Sequence, residues 1–303
     1  THGVTRTLGR NHDHVEIEHS GDFLSLHHAD RCSIHSLETS EVSVASSAES
    51  FEEDEATKEG PYKLSDFERH KILGEGQFGQ VWLVAEKNKA ATPYALKIFS
   101  KYHLITEGQV ESVIQEKELM IKVHHPFVAQ IAGTFQDDYL CYILQEFCQG
   151  GELFSIMHDD KIFPAPRAAF YTLCIADALA YLHGQKIVYR DPKLIDFGYA
   201  KELDQGSRTL TFCGTPRYLA PEIVAASGHG FEVDHWALGV LLYEMLTGEN
   251  PFYYNGMEER LLFESIQNDP YPKPNTNEED AALLIAGLLT KDPLLRLGAA
   301  NEN

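Results

Sequence analysis

No stretch of the 303 residues approaches the ~18 consecutive apolar residues that a membrane-spanning helix needs, and the first ten, THGVTRTLGR, hold no hydrophobic signal core. A membrane anchor is therefore not expected. Cysteine is scarce: Cys32, Cys141, Cys148, Cys174 and Cys213 are scattered without a CxxC pair, which suits reduced thiols in a cytosolic protein better than a disulfide framework. Basic residues are few, 25 Lys and Arg against 46 Asp and Glu, for a formal net charge of -21. Phosphate backbones demand basic patches, so nucleic acid is excluded as an expected partner and basic partners fit better. With 43% hydrophobic residues the chain can still fill an ordinary globular core.

Residues 1–60 are rich in Ser, His, Glu and Asp, lack sustained periodicity and include the acidic run FEEDE from Phe51 to Glu55. This leader reads as a disordered tail. Its seven histidines show neither ligand spacing nor companion cysteine pairs, so a solvated segment is expected instead of a metal site. The sequence begins with Thr1 and stops in the polar run AANEN, which reads as a fragment.

From Tyr62 the texture changes to short β-type runs, Ile72 to Leu73, Val81 to Ala85 and Tyr94 to Phe99, separated by turn residues. A helix is expected from Gln109 to Val123, then strands from Phe127 to Phe135 and from Cys141 to Phe147. Beyond Gly150 the pattern becomes helical. Phe170, Leu173, Ala176, Leu179 and Leu182 recur at three-residue spacing, and Gly184 sits where a helix end favours a left-handed residue. Val233 to Leu246 is strongly apolar and ends at Gly248, while Asn277 is placed to cap a helix through Ala281 to Leu289. A sheet-rich part thus precedes a helical part, an α+β arrangement.

Three glycines in Gly74-Glu75-Gly76-Gln77-Phe78-Gly79-Gln80-Val81 could close bare backbone N–H groups over phosphates, although alone they describe only a flexible hairpin. The same spacing opens dinucleotide folds, but a helix should follow there, whereas Val81-Trp82-Leu83-Val84 continues as strand. Lys97, one strand later, and Glu116, on the next helix, can form an ion pair that points Lys97 at phosphate oxygens. Tyr189-Arg190-Asp191, Asp196-Phe197-Gly198, Ala220-Pro221-Glu222 and Asp234-His235-Trp236 then follow in order.

That order resembles the protein-kinase signature of Gly-rich loop, strand lysine, helix glutamate, catalytic loop, DFG and APE. The resemblance covers roughly Phe67 to Gly298. Tyr189 before Arg190-Asp191, together with Thr211-Phe212-Cys213-Gly214-Thr215-Pro216, resembles the AGC group of Ser/Thr kinases, most of all its cyclic-nucleotide-dependent branch. The resemblance implies a two-lobed α+β kinase fold with a small lobe near 62–147 and a helical lobe from about 150, C-terminally truncated.

It further implies ATP and Mg2+ as cofactors. Leu73, Gly74, Glu75, Gly76, Gln77, Phe78, Gly79 and Gln80 would cover the nucleotide, Val81 and Ala95 would sandwich adenine, and Lys97, paired with Glu116, would hold phosphates. Gln145 would be the gatekeeper, Glu146 to Cys148 would form the hinge, and Glu152 would also bind ATP. Asp196 would bind magnesium and Asp191 would accept the substrate hydroxyl's proton. Thr211 would be the activation-loop phosphorylation site, with Arg190 pairing its phosphate and Thr215 nearby. Glu152 and Glu244 would receive basic side chains of protein substrates. Glu222 and Arg296 would form an architectural pair, and Asp234 would anchor the catalytic loop. A regulatory subunit or domain is an implied partner, and a cytoplasmic or nuclear location is implied with it.

Two departures stand out. Arg217 occupies a place where this group usually carries an acidic residue. Between Asp191 and Asp196 there is only Pro192-Lys193-Leu194-Ile195, where the family has about a dozen more residues, including a second metal ligand and a strand beneath adenine. Lys193 either imitates the catalytic-loop lysine or, with Leu194 and Ile195, forms the strand entering DFG; the second alignment is favoured. The expected function is protein Ser/Thr phosphorylation, and the alternative is a catalytically inactive scaffold.

Overall fold

The computed structural model describes residues 62–299 apart from 77–78, 88–91, 152, 192–196, 205 and 275–277. The leader, Gln77, Phe78, Glu152, Lys193, Asp196 and Asn277 lie outside the described residues.

Five strands form one antiparallel sheet: β1 (Phe67–Gly76), β2 (Gly79–Glu86), β3 (Pro93–Ser100), β4 (Ile131–Gln136) and β5 (Leu140–Glu146), in the order β1-β2-β3-β5-β4. Every neighbouring pair except β3–β5 is consecutive in the chain, as hairpin-linked strands are. The break comes where α1 (Lys101–Thr106) and α2 (Val110–Lys122) intervene between β3 and β4. Side-chain alternation gives the sheet two faces. Phe67, Val84, Leu96, Phe135, Tyr142 and Leu144 pack on one, where Phe135 stacks between Tyr142 and Phe67 at centroid distances of 4.5 and 6.0 Å. Phe99 and Ile143, of opposite parity, join Leu119 and Met120 of α2 on the other.

The helical part comprises α3 (Leu153–Asp160), α4 (Ala165–Gly184), α5 (Pro221–Val224), α6 (Glu232–Thr247), α7 (Glu259–Asn268) and α8 (Glu279–Leu288), with a short pair of strands, β6 (Ile187–Val188) and β7 (Lys201–Glu202). Thirteen of the residues of α6 are buried, from Val233 to Leu246 with only His235 less so, which makes it the central helix of this part. It ends on Gly248 at φ 75°, the left-handed cap expected there.

Several expectations are corrected. The strand expected from Phe127 begins only at Ile131, because His125 to Val128 form a turn closed by Val128 N donating to His125 O at 3.1 Å, and Gln130 donates its side-chain amide to Val128 O at 2.8 Å. Phe170 and Leu173 are exposed on α4, while Ala168, Thr172, Ile175, Ala178, Leu179 and Leu182 are buried. Three-residue steps fall short of a 3.6-residue turn, so such a row drifts off the core face. Gly184 is the last helical residue and the left-handed position is Lys186, φ 62°. Glu278 takes the N-cap position of α8. The helix α1, capped by the Ser100 hydroxyl, lay unread in KYHLIT because six residues hold too little periodicity.

Candidate active site

Strand pairing sets Val81 opposite Lys97, Leu83 opposite Ala95, Ile143 opposite Lys97 and Gln145 opposite Ala95. Directly opposed residues share a face, and so do residues two apart along a strand. Val81, Ala95, Lys97 and Gln145 therefore line the face toward α2. There the Lys97 ammonium lies 2.7 Å from Glu116 Oε1, with Glu116 buried. The buried Gln145 donates Nε2 to Met120 Sδ at 3.1 Å. Helix α2 thus fixes both side chains from one direction. Leu73 and Gly74 lie at the β1 bulge between Ile72 and Gly74. Glu75 pairs with Gln80 across the hairpin, where Gln80 Nε2 donates to Glu75 Oε1 at 2.9 Å. Gly79 is required by packing: a Cβ there would meet Ile98 O at 1.7 Å, whereas one at Gly74 would meet nothing within 4 Å. Glu146 and Cys148 are exposed at the end of β5, where Glu146 N donates to Gln130 O at 2.8 Å.

Asp234 organises the loop before Asp191. Its Oδ2 accepts Tyr189 N at 2.9 Å and lies 2.8 Å from His183 Nε2, and its Oδ1 accepts Arg190 N at 2.6 Å. These bonds hold Arg190 at φ 67°, a strained value for a non-glycine residue. Gly214, φ 117°, packs so closely that a Cβ would lie 2.7 Å from Arg190 O. The buried Asp191 accepts the Thr215 hydroxyl at Oδ2, 2.7 Å. Phe197 of the DFG segment is buried with its ring edge-on to Tyr189, centroids 5.1 Å apart.

Arg190 Nε donates to Tyr199 O at 2.6 Å while its Nη1 is buried without a hydrogen-bond partner, and burial lowers the guanidinium from its ordinary value. The exposed Thr211 shares a hydroxyl contact of 3.1 Å with Thr209, which in turn accepts Lys201 Nζ at 3.0 Å. Thr209 and His229 exchange both backbone hydrogen bonds, 2.9 and 3.0 Å. This joins the segment carrying Thr211 to the segment leading into α6.

On α6, Glu244 is buried, bonded at Oε2 by the Tyr218 hydroxyl and at Oε1 by Asn250 Nδ2, 2.8 Å. Burial raises its carboxyl above the ordinary value, opposed by those two hydrogen bonds and by the Arg217 charge. Asn250, His183 and Thr209 escaped the sequence reading. Of these only His183, in the last turn of α4, carried a signal, since a histidine near a helix C-terminus invites a polar partner.

Two further histidines make the domain acid-sensitive. Burial first, then the Arg190 charge, drives the His229 imidazole down to about 4, and burial followed by His183 does the same to His235. Both lie below the unfolded value of about 6.5, so the unfolded chain binds more protons between those limits and stability is lost as pH falls from about 6.5 to about 4. Both histidines contribute to this loss, His229 and His235 each being neutral in the folded domain over that range. Urea titrations at pH 7.5 and 5.0 should show it, and His235→Phe should flatten the dependence; an unchanged slope would contradict the assignment.

The comparisons agree with this geometry. The protein kinase domain model matches residues 67–302. The chain is 39% identical over 291 residues to serine/threonine-protein kinase akt-1 of Caenorhabditis elegans, covering 91% of this chain and 52% of that protein. It is 41% identical over 256 residues to a cAMP-dependent protein kinase catalytic subunit of Arthrobotrys oligospora, covering 80% and 48%, and 42% identical over 250 residues to the human RAC-beta serine/threonine-protein kinase, covering 78% and 51%. The chain spans about half the length of the curated relatives it matches. The cyclic-nucleotide-dependent branch is one of several AGC relatives at similar identity and is not singled out. A two-faced sheet presenting a Lys97–Glu116 pair, a helical part carrying the Asp191 loop, and a family match across both establish that this chain belongs to the protein kinase family, among relatives that are AGC Ser/Thr kinases.

Proposed function

We propose that this domain, when its catalytic loop has the family's length, transfers the γ-phosphoryl group of ATP to Ser or Thr hydroxyls of protein substrates, with magnesium and with a preference for basic residues upstream. The observation that carries the reading is the 2.7 Å Lys97–Glu116 pair on the face shared with Val81, Ala95 and Gln145, a cation held where nucleotide phosphates are expected. Lys97 binds the phosphates and Asp191, held by Thr215, takes the proton from the acceptor hydroxyl. Magnesium neutralises phosphate charge when bound; Asp196 is the residue assigned to it, and among the described residues no group of three or more His, Cys, Asp or Glu could hold a metal. A cytoplasmic or nuclear location belongs with this reading. Among the described residues no helix is long and apolar enough to cross a membrane.

A second reading, a scaffold without catalytic activity, is favoured by one observation, the four residues between Asp191 and Asp196. The basic preference rests on Glu244, on Glu152 and on the acidic chain. A positional peptide library assayed with a version carrying a family-like insertion after Asp191 should select Arg or Lys before the acceptor, and indifference there would overturn the preference. In the same protein Thr211→Ala should lower activity strongly, because a phosphate on Thr211 gains Lys201 and the unpartnered Arg190 Nη1. An unchanged rate, with Lys97→Met inactive, would remove this control.

A further inference from the structure

Arg217 lies in the 3-10 turn Pro216–Tyr218, two residues after its N-cap Thr215, so the two backbones are about 4 Å apart along the turn and Thr215 is the residue whose hydroxyl holds Asp191. It is half-buried, with Cζ 5.2 Å from the centre of the Tyr253 ring. Asn250 fixes that arrangement from both ends. Its Nδ2 donates to Arg217 O at 3.3 Å and to Glu244 Oε1 at 2.8 Å, while its Oδ1 accepts Phe252 N at 3.0 Å and Tyr253 N at 2.9 Å. The guanidinium is therefore held on an aromatic platform by a turn whose backbone is itself pinned. Yet among the described residues no carboxylate lies within 4.0 Å of it and its N–H groups make no hydrogen bond. Glu244, the nearest acidic group in the network, has both oxygens occupied by Tyr218 and Asn250.

A fixed fork of donors without a protein acceptor suits an incoming carboxylate or phosphate. We propose that Arg217 is a specificity-determining residue that recognises an anionic side chain, acidic or phosphorylated, within about three positions of the acceptor Ser or Thr, an extended peptide advancing about 3.3 Å per residue. This rests on the substrate reading above. It adds an anion-recognising position to a surface proposed above to favour basic residues. Arg217 thereby separates the substrates of this domain from those selected by basic residues alone.

The test is peptide binding to the full chain, which does not depend on turnover. Single-acceptor peptides with an upstream arginine carry Glu, phosphoserine, Lys or Ala at each of the three positions on either side, and are compared by fluorescence anisotropy at low and at physiological salt. Glu or phosphoserine should bind about three- to tenfold tighter than Ala at one register, Lys should bind more weakly, and the preference should shrink with salt. Arg217→Gln should abolish the preference, Arg217→Glu should invert it toward Lys, and Arg217→Lys, which keeps the charge and the fold but loses the fork, should retain part of it. Equal gains from Glu and phosphoserine identify an acidic substrate residue, and a gain confined to phosphoserine identifies a previously phosphorylated one. If affinity depends on the upstream arginine but ignores the scanned charge, Arg217 is a solvated cation and this inference alone fails. If no peptide binds, the substrate reading fails with it.

Discussion

Arg296→Ala should destabilise the domain by about 3–5 kcal/mol, a large share of the 5–15 kcal/mol by which folded domains exceed their unfolded states. Arg296 is only 2% exposed, and its donors are all placed: Nη1 and Nη2 on Glu222 at 2.5 and 2.9 Å, Nη1 also on Glu232 O, Nε on Thr290 O and Nη2 on Lys291 O. Its guanidinium also lies 5.1 Å from the Trp236 ring centre. Truncation leaves the Glu222 carboxylate buried without its counter-charge and frees three backbone carbonyls, and an uncompensated buried charge costs more than the intact pair contributes. For that reason Glu222→Met combined with Arg296→Met should recover part of the loss. Urea unfolding followed by circular dichroism reads both. A loss below about 1 kcal/mol for Arg296→Ala would mean that the pair is not the tie between α5 and the chain beyond α8 that the geometry describes.

How far the sequence could be read depended on whether a feature is local. Lys97 was legible because strand alternation puts it on the face of Val81 and Ala95, and Glu116 because a helix had to follow. The apolar run of α6 and its cap at Gly248 follow from composition and one backbone angle. The Glu222–Arg296 pair spans 74 residues and was reached only through family resemblance, since no spacing rule links such distant positions. Asn250 was missed for the same reason. Its four bonds connect Arg217, Glu244, Phe252 and Tyr253, and an asparagine after a helix ordinarily reads as a turn residue. The burial that lowers His229 and His235 is likewise a tertiary property.

The other large effect expected is at the catalytic loop. The chain as it stands should phosphorylate peptides at least about 100-fold more slowly than a version with a family-like insertion after Asp191, because loss of one preorganised electrostatic group alone costs about 100- to 1000-fold in rate. Three deficits act together. The second metal ligand of the family is missing from the sequence, so charge developing on the transferred phosphoryl is less neutralised. The strand beneath adenine is missing with it, which weakens ATP binding. From Asp191 to Asp196 the five residue steps reach at most roughly 17 Å, so the short connection constrains where Asp196 can stand relative to Asp191 and the Lys97–Glu116 pair. The decisive measurement is magnesium-dependent peptide phosphorylation by the chain itself, by the inserted version and by Asp191→Asn in each background. Activity is expected in the inserted version alone, abolished there by Asp191→Asn. Comparable turnover by the uninserted chain, also abolished by Asp191→Asn, would contradict this and would assign the catalytic-loop lysine's role to Lys193.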